Sequence, residues 1–171
     1  MDTYTILHYE DEPLTVDWLR ESINLRLCKL YPDWATQDEL NVVFWDGENR
    51  RTVYKVDVGN PSAFQLVYQI CETLEQFSGA LNGVSDFQHS VFVLDLMGQG
   101  SDHLELLGLE CHDKIASRFP MANIFFLSGY VSHVPPKIEQ KIGRDHLYSK
   151  PVNVNSFANA VLDELRLPNA G

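Results

Sequence analysis

The chain has 171 residues, 44% of them hydrophobic and 11% aromatic, with a formal net charge of -11: one globular domain with a sizeable core and no disordered tract. That charge argues against direct nucleic-acid or membrane partners, because both need clustered Lys and Arg. No apolar stretch approaches the roughly 20 residues of a membrane helix, the N-terminus lacks a signal-peptide pattern, and Cys28, Cys71 and Cys111 suit neither a disulfide framework nor a zinc site; a cytoplasmic protein with buried thiols is expected.

Residues 5–9 read as a buried strand that stops at Glu10-Asp11-Glu12. Pro13 opens a helix in which Leu14, Trp18, Leu19, Ile23, Leu27 and Leu30 recur at helical spacing. A connection over 31–39 leads to a second short strand at 41–45. Asp46-Gly47-Glu48-Asn49 is turn chemistry, and alternation over 52–58 predicts an extra strand folded back on the second, an insertion of about 46–60. Asn60-Pro61 then makes a cap for a lengthened helix through Phe64, Val67, Ile70, Cys71, Leu74, Phe77 and Leu81.

The remainder alternates more plainly. Residues 91–94 form a strand ending at Asp95, a loop covers 97–102, and a helical pattern over 103–119 runs through Leu106, Leu107, Ile115 and Phe119. A strand at 124–127 ends at Ser128-Gly129, and Pro135-Pro136 opens a short helix that stops near Gly143. The last strand, 147–149, ends at Lys150-Pro151, and the last helix, 156–165, turns Phe157, Val161, Leu162 and Leu165 inward. Strands alternating with helices imply a parallel α/β sheet covered on both faces.

Ligands of an open parallel sheet bind beyond the carboxyl ends of its strands. Glu10, Asp11, Asp95, Ser128 and Lys150 all lie at such ends and are expected to converge, although they are scattered over most of the chain. Clustered carboxylates repel one another, and an oxygen-seeking cation such as Mg²⁺ relieves that repulsion.

The segments Ile6-Leu7-His8-Tyr9-Glu10-Asp11-Glu12-Pro13, Val91-Phe92-Val93-Leu94-Asp95-Leu96-Met97, Leu104-Glu105-Leu106-Leu107, Phe126-Leu127-Ser128-Gly129 and Tyr148-Ser149-Lys150-Pro151 resemble, in order, the receiver domain of two-component response regulators. The resemblance implies a flavodoxin-like, doubly wound five-stranded parallel sheet of order 2-1-3-4-5; the alternation over 52–58 adds a hairpin strand at the strand-2 edge, and the short stretch after the last helix leads us to expect a single stand-alone domain spanning 1–171. It implies that Asp95 accepts a phosphoryl group from a histidine kinase or phosphotransfer protein. Mg²⁺ would be held by Glu10, Asp11, Asp95 and the backbone carbonyl of Met97. Lys150 and Ser128 would meet the phosphoryl oxygens, and Gly129 would leave room for them. Phosphorylation would switch contacts with a downstream protein through residues 129–143, the last strand and the last helix. The chain would catalyse at most its own phosphorylation and dephosphorylation, and homodimerisation through the last helices stays open.

Several residues depart from the family's pattern. Glu10 stands where Asp is commoner, Gly98-Gln99 and His103 alter the loop after Asp95, and Leu147 occupies the place of the switch aromatic while Tyr148 is predicted on the opposite face. Two alternatives therefore stand beside phosphorylation: a receiver-like interaction module that no longer uses it, and a haloacid-dehalogenase-type Mg²⁺ phosphohydrolase, against which Met97 occupies the general acid's position. His8 reads as a hydrogen-bonded core residue, Cys111-His112 as structural, Asp102, Glu105 and Glu110 as a solvated helix face, and Trp18, Trp34 and Trp45 as packing residues, with Trp34 a contact surface if exposed.

Overall fold

A computed structural model describes residues 2–32, 44–46, 50–56, 63–97 and 106–168, the segment 44–46 through its backbone alone. In chain order these form β1 (Asp2–Tyr9), α1 (Pro13–Leu30), β2 (Phe44–Asp46), β3 (Arg51–Val56), β4 (Phe64–Cys71), α2 (Leu74–Gly83), β5 (Ser90–Leu94), α3 (Leu107–Arg118), β6 (Asn123–Ser128), α4 (Pro136–Ile142), β7 (Leu147–Ser149) and α5 (Val154–Leu165). Single 3₁₀ turns at Val131–His133 and Arg144–His146 flank α4.

Among the described residues the sheet has seven strands, in the order β2-β3-β4-β1-β5-β6-β7. From β4 to β7 all neighbours are parallel, whereas β2 and β3 are antiparallel additions at the β4 side. The parallel five, β4-β1-β5-β6-β7, follow the order 2-1-3-4-5, so the fold is flavodoxin-like with an added hairpin. Because β1 and β5 are interior strands, the pleat sends apolar side chains to both faces. On one face Ile6, Tyr68, Val93 and Phe125 meet Leu19, Ile23 and Leu27 of α1 and Phe157 and Val161 of α5. On the other, Leu7, Phe92, Leu94 and Phe126 meet Phe77 of α2, Cys111 and Ile115 of α3 and Ile138 of α4. Each fully buried aromatic or aliphatic side chain here contributes roughly 1.5–3 kcal/mol relative to exposure.

The lengthened helix expected after Asn60 is not formed. Phe64–Cys71 is a strand, β4, buried on both faces, and the helix that follows starts only at Leu74. Leu66 and Tyr68, both fully buried, complete a continuous apolar run that a two-faced strand uses and a one-faced helix does not. As a result β1 is flanked by β4, and the 41–45 strand, seen as β2, lies two places further out, paired with β3 as expected. Asn60-Pro61, Trp34, Gly98-Gln99, Asp102, His103 and Leu104-Glu105 lie outside the described residues.

One further expectation fails on α1. Its buried stripe is Val16, Leu19, Ile23 and Leu27, whereas Leu14 is 58% exposed and Trp18 53%. A second apolar stripe, Leu14, Trp18 and Leu25, faces outward on the same helix.

Candidate functional site

Two backbone hydrogen bonds align the carboxyl ends of the central strands: Glu10 N–H donates to the Cys71 carbonyl at 3.0 Å, and Asp95 N–H donates to the Tyr9 carbonyl at 2.9 Å. Glu10 and Asp95 are thereby set side by side, 1% and 6% exposed. Asp11 is half-buried beside them, and one carboxylate oxygen from each of the three lies within 4.8 Å of the others. Glu10 keeps its place despite the extra methylene because its Oε1 accepts from Glu12 N–H at 3.0 Å. Asp95 Oδ1 accepts from Met97 N–H at 3.2 Å, which folds the start of the following loop against the carboxylate.

Lys150 reaches the same point from the end of β7. Its Nζ donates to Glu10 Oε2 and to Asp95 Oδ2, both at 2.7 Å, and to Glu12 Oε2 at 3.3 Å. Lys150 N–H also donates to the Ser128 carbonyl at 3.1 Å, tying the ends of β6 and β7 together, and the Lys150–Pro151 peptide is cis. Ser128 is fully buried, its Oγ accepting from Tyr130 N–H at 3.2 Å. A Cβ placed on Gly129 would meet no atom within 4 Å, so the space in front of the Ser128–Gly129 turn is open.

The electrostatics follow from this crowding. Burial, and then the charge of Asp95, push the Glu10 carboxyl up to about 7, with hydrogen bonds from Lys150 and Glu12 N–H offsetting part of the rise. Burial opposes the charge of Lys150, but hydrogen bonds with Asp95 and Glu10 outweigh it and hold the ammonium above its usual range. The exposed Glu12 is lowered by hydrogen bonds from Thr15 and Lys150. An all-oxygen donor set in which one carboxylate already resists ionisation fits Mg²⁺, a hard cation with oxygen ligands roughly 2.0–2.1 Å away.

Of three residues that support this site, sequence reasoning passed over Gly108 and Tyr68 and read His8 correctly as a hydrogen-bonded core residue, without its partner. Gly108, in the first turn of α3, donates its N–H to the Leu96 carbonyl at 3.1 Å, and a Cβ there would stand 2.1 Å from the Asp95 carbonyl oxygen. Glycine thus allows α3 to pack against the backbone of Asp95–Leu96. The other two are His8, expected only as a core residue, and Tyr68, expected on a helix; they hydrogen-bond across β1 and β4 at 2.7 Å beneath Glu10. Gly108 lay inside the helical pattern expected over 103–119, and nothing in the sequence marked it or Tyr68. Tyr148 lies where alternation placed it, on the face away from Ser128, its ring against Phe125 and Phe157, while Leu147 packs on the opposite core.

No protein-family profile and no curated protein matches the sequence. Among solved structures the chain is similar to a response regulator from Thermotoga maritima, at 11% identity and a TM-score of 0.52, over 96% of this chain and 98% of that one. It is similar to the T. maritima response regulator TrrA in complex with Mg²⁺ and BeF, at 15% identity and 0.54, over 96% and 99%. A response regulator from Colwellia psychrerythraea gives 14% and 0.51, over 95% and 97%. The fold is that of these response regulators.

Proposed function

We propose that this chain is a receiver protein of a two-component phosphorelay, taking a phosphoryl group on Asp95 in a Mg²⁺-dependent reaction. The observation that supports the reading most is Lys150 Nζ, 2.7 Å from both Glu10 and Asp95 at the carboxyl edge of a response-regulator fold. Glu10, Asp11 and Asp95, with the Met97 carbonyl, are the residues that would hold Mg²⁺, which when bound supplies positive charge against the phosphoryl oxygens.

Asp95 then acts as the nucleophile. A carboxylate oxygen attacks the phosphorus of a phosphohistidine in line, the P–O bond forms as the P–N bond breaks, and the imidazole leaves with the electron pair and takes a proton from solvent. Lys150 swings its ammonium from Asp95 Oδ2 to a phosphoryl oxygen, and the Ser128 hydroxyl donates to another. The open space at Gly129 accommodates the group. The phosphodonor, a histidine kinase or phosphotransfer protein, docks on the outward stripe of α1, because the exposed Trp18 lines a cavity of about 290 Å³ together with Leu127, Pro151, Val152, Glu12 and Lys150.

The test is incubation with Mg²⁺ and acetyl phosphate followed by intact-mass measurement. Wild type should gain one phosphoryl group, and Asp95→Asn none; an unchanged wild-type mass with both the small donor and a kinase would sink the proposal. One observation favours a second reading, an interaction module without phosphorylation: Tyr148 is packed away from Ser128 and is not placed to follow its movement. Under that reading, partner binding would be the same with and without beryllofluoride.

A further inference from the structure

Beneath the acid cluster lies a buried polar pair that the proposed phosphoryl chemistry does not use. His8 is fully buried on β1, two residues before Glu10, and its Nδ1 lies 2.7 Å from the hydroxyl of the equally buried Tyr68 on β4. Among the described residues its Nε2 has no hydrogen-bond partner, and it faces Glu10 Oε2 at 3.9 Å, an oxygen now taken by Lys150 at 2.7 Å. The ring is held by its packing between β1 and β4, fully buried, with one nitrogen on Tyr68 and the other turned to Glu10.

Lys150 Nζ donates to one oxygen of Glu10 and Glu12 N–H to the other, the arrangement of an accepting carboxylate, and beside that ionised form only one tautomer suits. With the proton on Nδ1, the bare lone pair of Nε2 would face an ionised carboxylate. With the Tyr68 hydroxyl donating to Nδ1, Nε2 carries the proton and points a donor at Glu10. A closure of about 1 Å would turn the 3.9 Å approach into a hydrogen bond. That closure becomes available when Lys150 releases Glu10 Oε2.

We propose that Tyr68 and His8 form a buried relay in which the Tyr68 hydroxyl sets the His8 tautomer and His8 Nε2–H receives Glu10 Oε2 as Lys150 lets go, holding the carboxylate in place for a divalent cation. His8 and Tyr68 are positioning residues, since neither touches the cation or the phosphoryl group. The relay would also account for a glutamate in this place, because its longer side chain needs a second anchor besides Glu12 N–H. The inference rests on the proposed metal-dependent receiver chemistry.

The experiment combines Mg²⁺ titration by calorimetry on wild type, Tyr68→Phe, His8→Leu, His8→Gln and the double variant with ¹⁵N-histidine NMR of the metal-free protein. Tyr68→Phe should weaken Mg²⁺ several-fold and His8→Leu about tenfold. His8→Gln, whose amide nitrogen falls near Nε2, should recover most of the loss. The double variant Tyr68→Phe/His8→Leu should be no weaker than His8→Leu, because Tyr68 acts only through His8, whereas independent packing effects would multiply. The NMR should show a protonated Nε2 and a bare Nδ1 on His8. Unchanged Mg²⁺ affinity in His8→Leu, multiplied losses, or a protonated Nδ1 would each overturn the relay alone. Absence of Mg²⁺ binding in wild type would overturn the receiver chemistry and the relay with it. Thermal unfolding of every variant identifies any that fails to fold, and Tyr68→Phe, which removes one oxygen and keeps the ring, remains the decisive variant in that case.

Discussion

Lys150 sets one ammonium, with a side chain 19% exposed, against the carboxylates of Glu10, Asp95 and Glu12. Removing one partner of a buried ion pair leaves the other charges uncompensated, so Lys150→Met should cost about 2–4 kcal/mol in the metal-free protein. The loss has a definite pH sense. The folded pKa of Glu10, about 7, exceeds its unfolded value near 4.5, so between those pH values the folded state holds the extra proton and stability falls as pH rises. Loss of Lys150 raises that folded pKa further, and urea unfolding should show a larger defect for Lys150→Met at pH 8 than at pH 6; an equal defect at both would contradict the assignment. At this scale the site was largely legible, because Glu10, Asp95, Ser128 and Lys150 each terminate a recognisable apolar run. The pairing of His8 with Tyr68, 60 residues apart, was not, because it requires β4 to be a strand in register with β1.

β4 was misread because Phe64, Val67, Ile70 and Cys71 satisfy helical spacing, and a short apolar run buried on both faces fits either period. The boundary was nonetheless written locally. Thr73 and Gln76 form a capping box, the Thr73 hydroxyl accepting from Gln76 N–H and the Gln76 side chain accepting in return, which marks Leu74 as the first helical residue. Strand alternation also placed Tyr148 on its proper face, whereas one helix carrying two apolar stripes, α1, gave no means of choosing the buried one. The contact of α3 with the carboxyl end of β5 depends on a single missing side chain. Gly108→Ala would put a methyl 2.1 Å from the Asp95 carbonyl oxygen, backbone against backbone, so α3 must retreat. We expect a loss of about 1–3 kcal/mol, typical of overpacking, together with slower modification of Asp95 by acetyl phosphate. An alanine variant with wild-type stability and rate would show that α3 has slack here.

For the molecule as a whole, the net charge of -11 is neutralised nowhere by a basic patch obvious in the sequence, and no helix among the described residues is long and apolar enough to cross a membrane. Under the proposed function, the exposed stripe of α1 beside the acid pocket is where the phosphodonor is expected. Trp18→Glu should slow phosphotransfer from a protein donor at least tenfold while leaving acetyl phosphate labelling unchanged, since Trp18 touches the cavity and not Asp95. Equal slowing with both donors would place the defect in the site itself. The alternation of helices with strands made a parallel core legible, its order was implied by the resemblance, and the strand that takes the second place, β4, was the element misread.

The bond between Lys150 and Glu10 spans 140 residues and joins the end of the first strand to the end of the last. Closing so long a loop is slow relative to local helix and hairpin formation. A growing chain that has made β1 and β5 but not yet β7 carries its carboxylates together with no internal counter-charge. The acid pocket therefore cannot settle until synthesis has delivered nearly the whole domain, and during that interval dissolved cations are the available substitute for the absent ammonium.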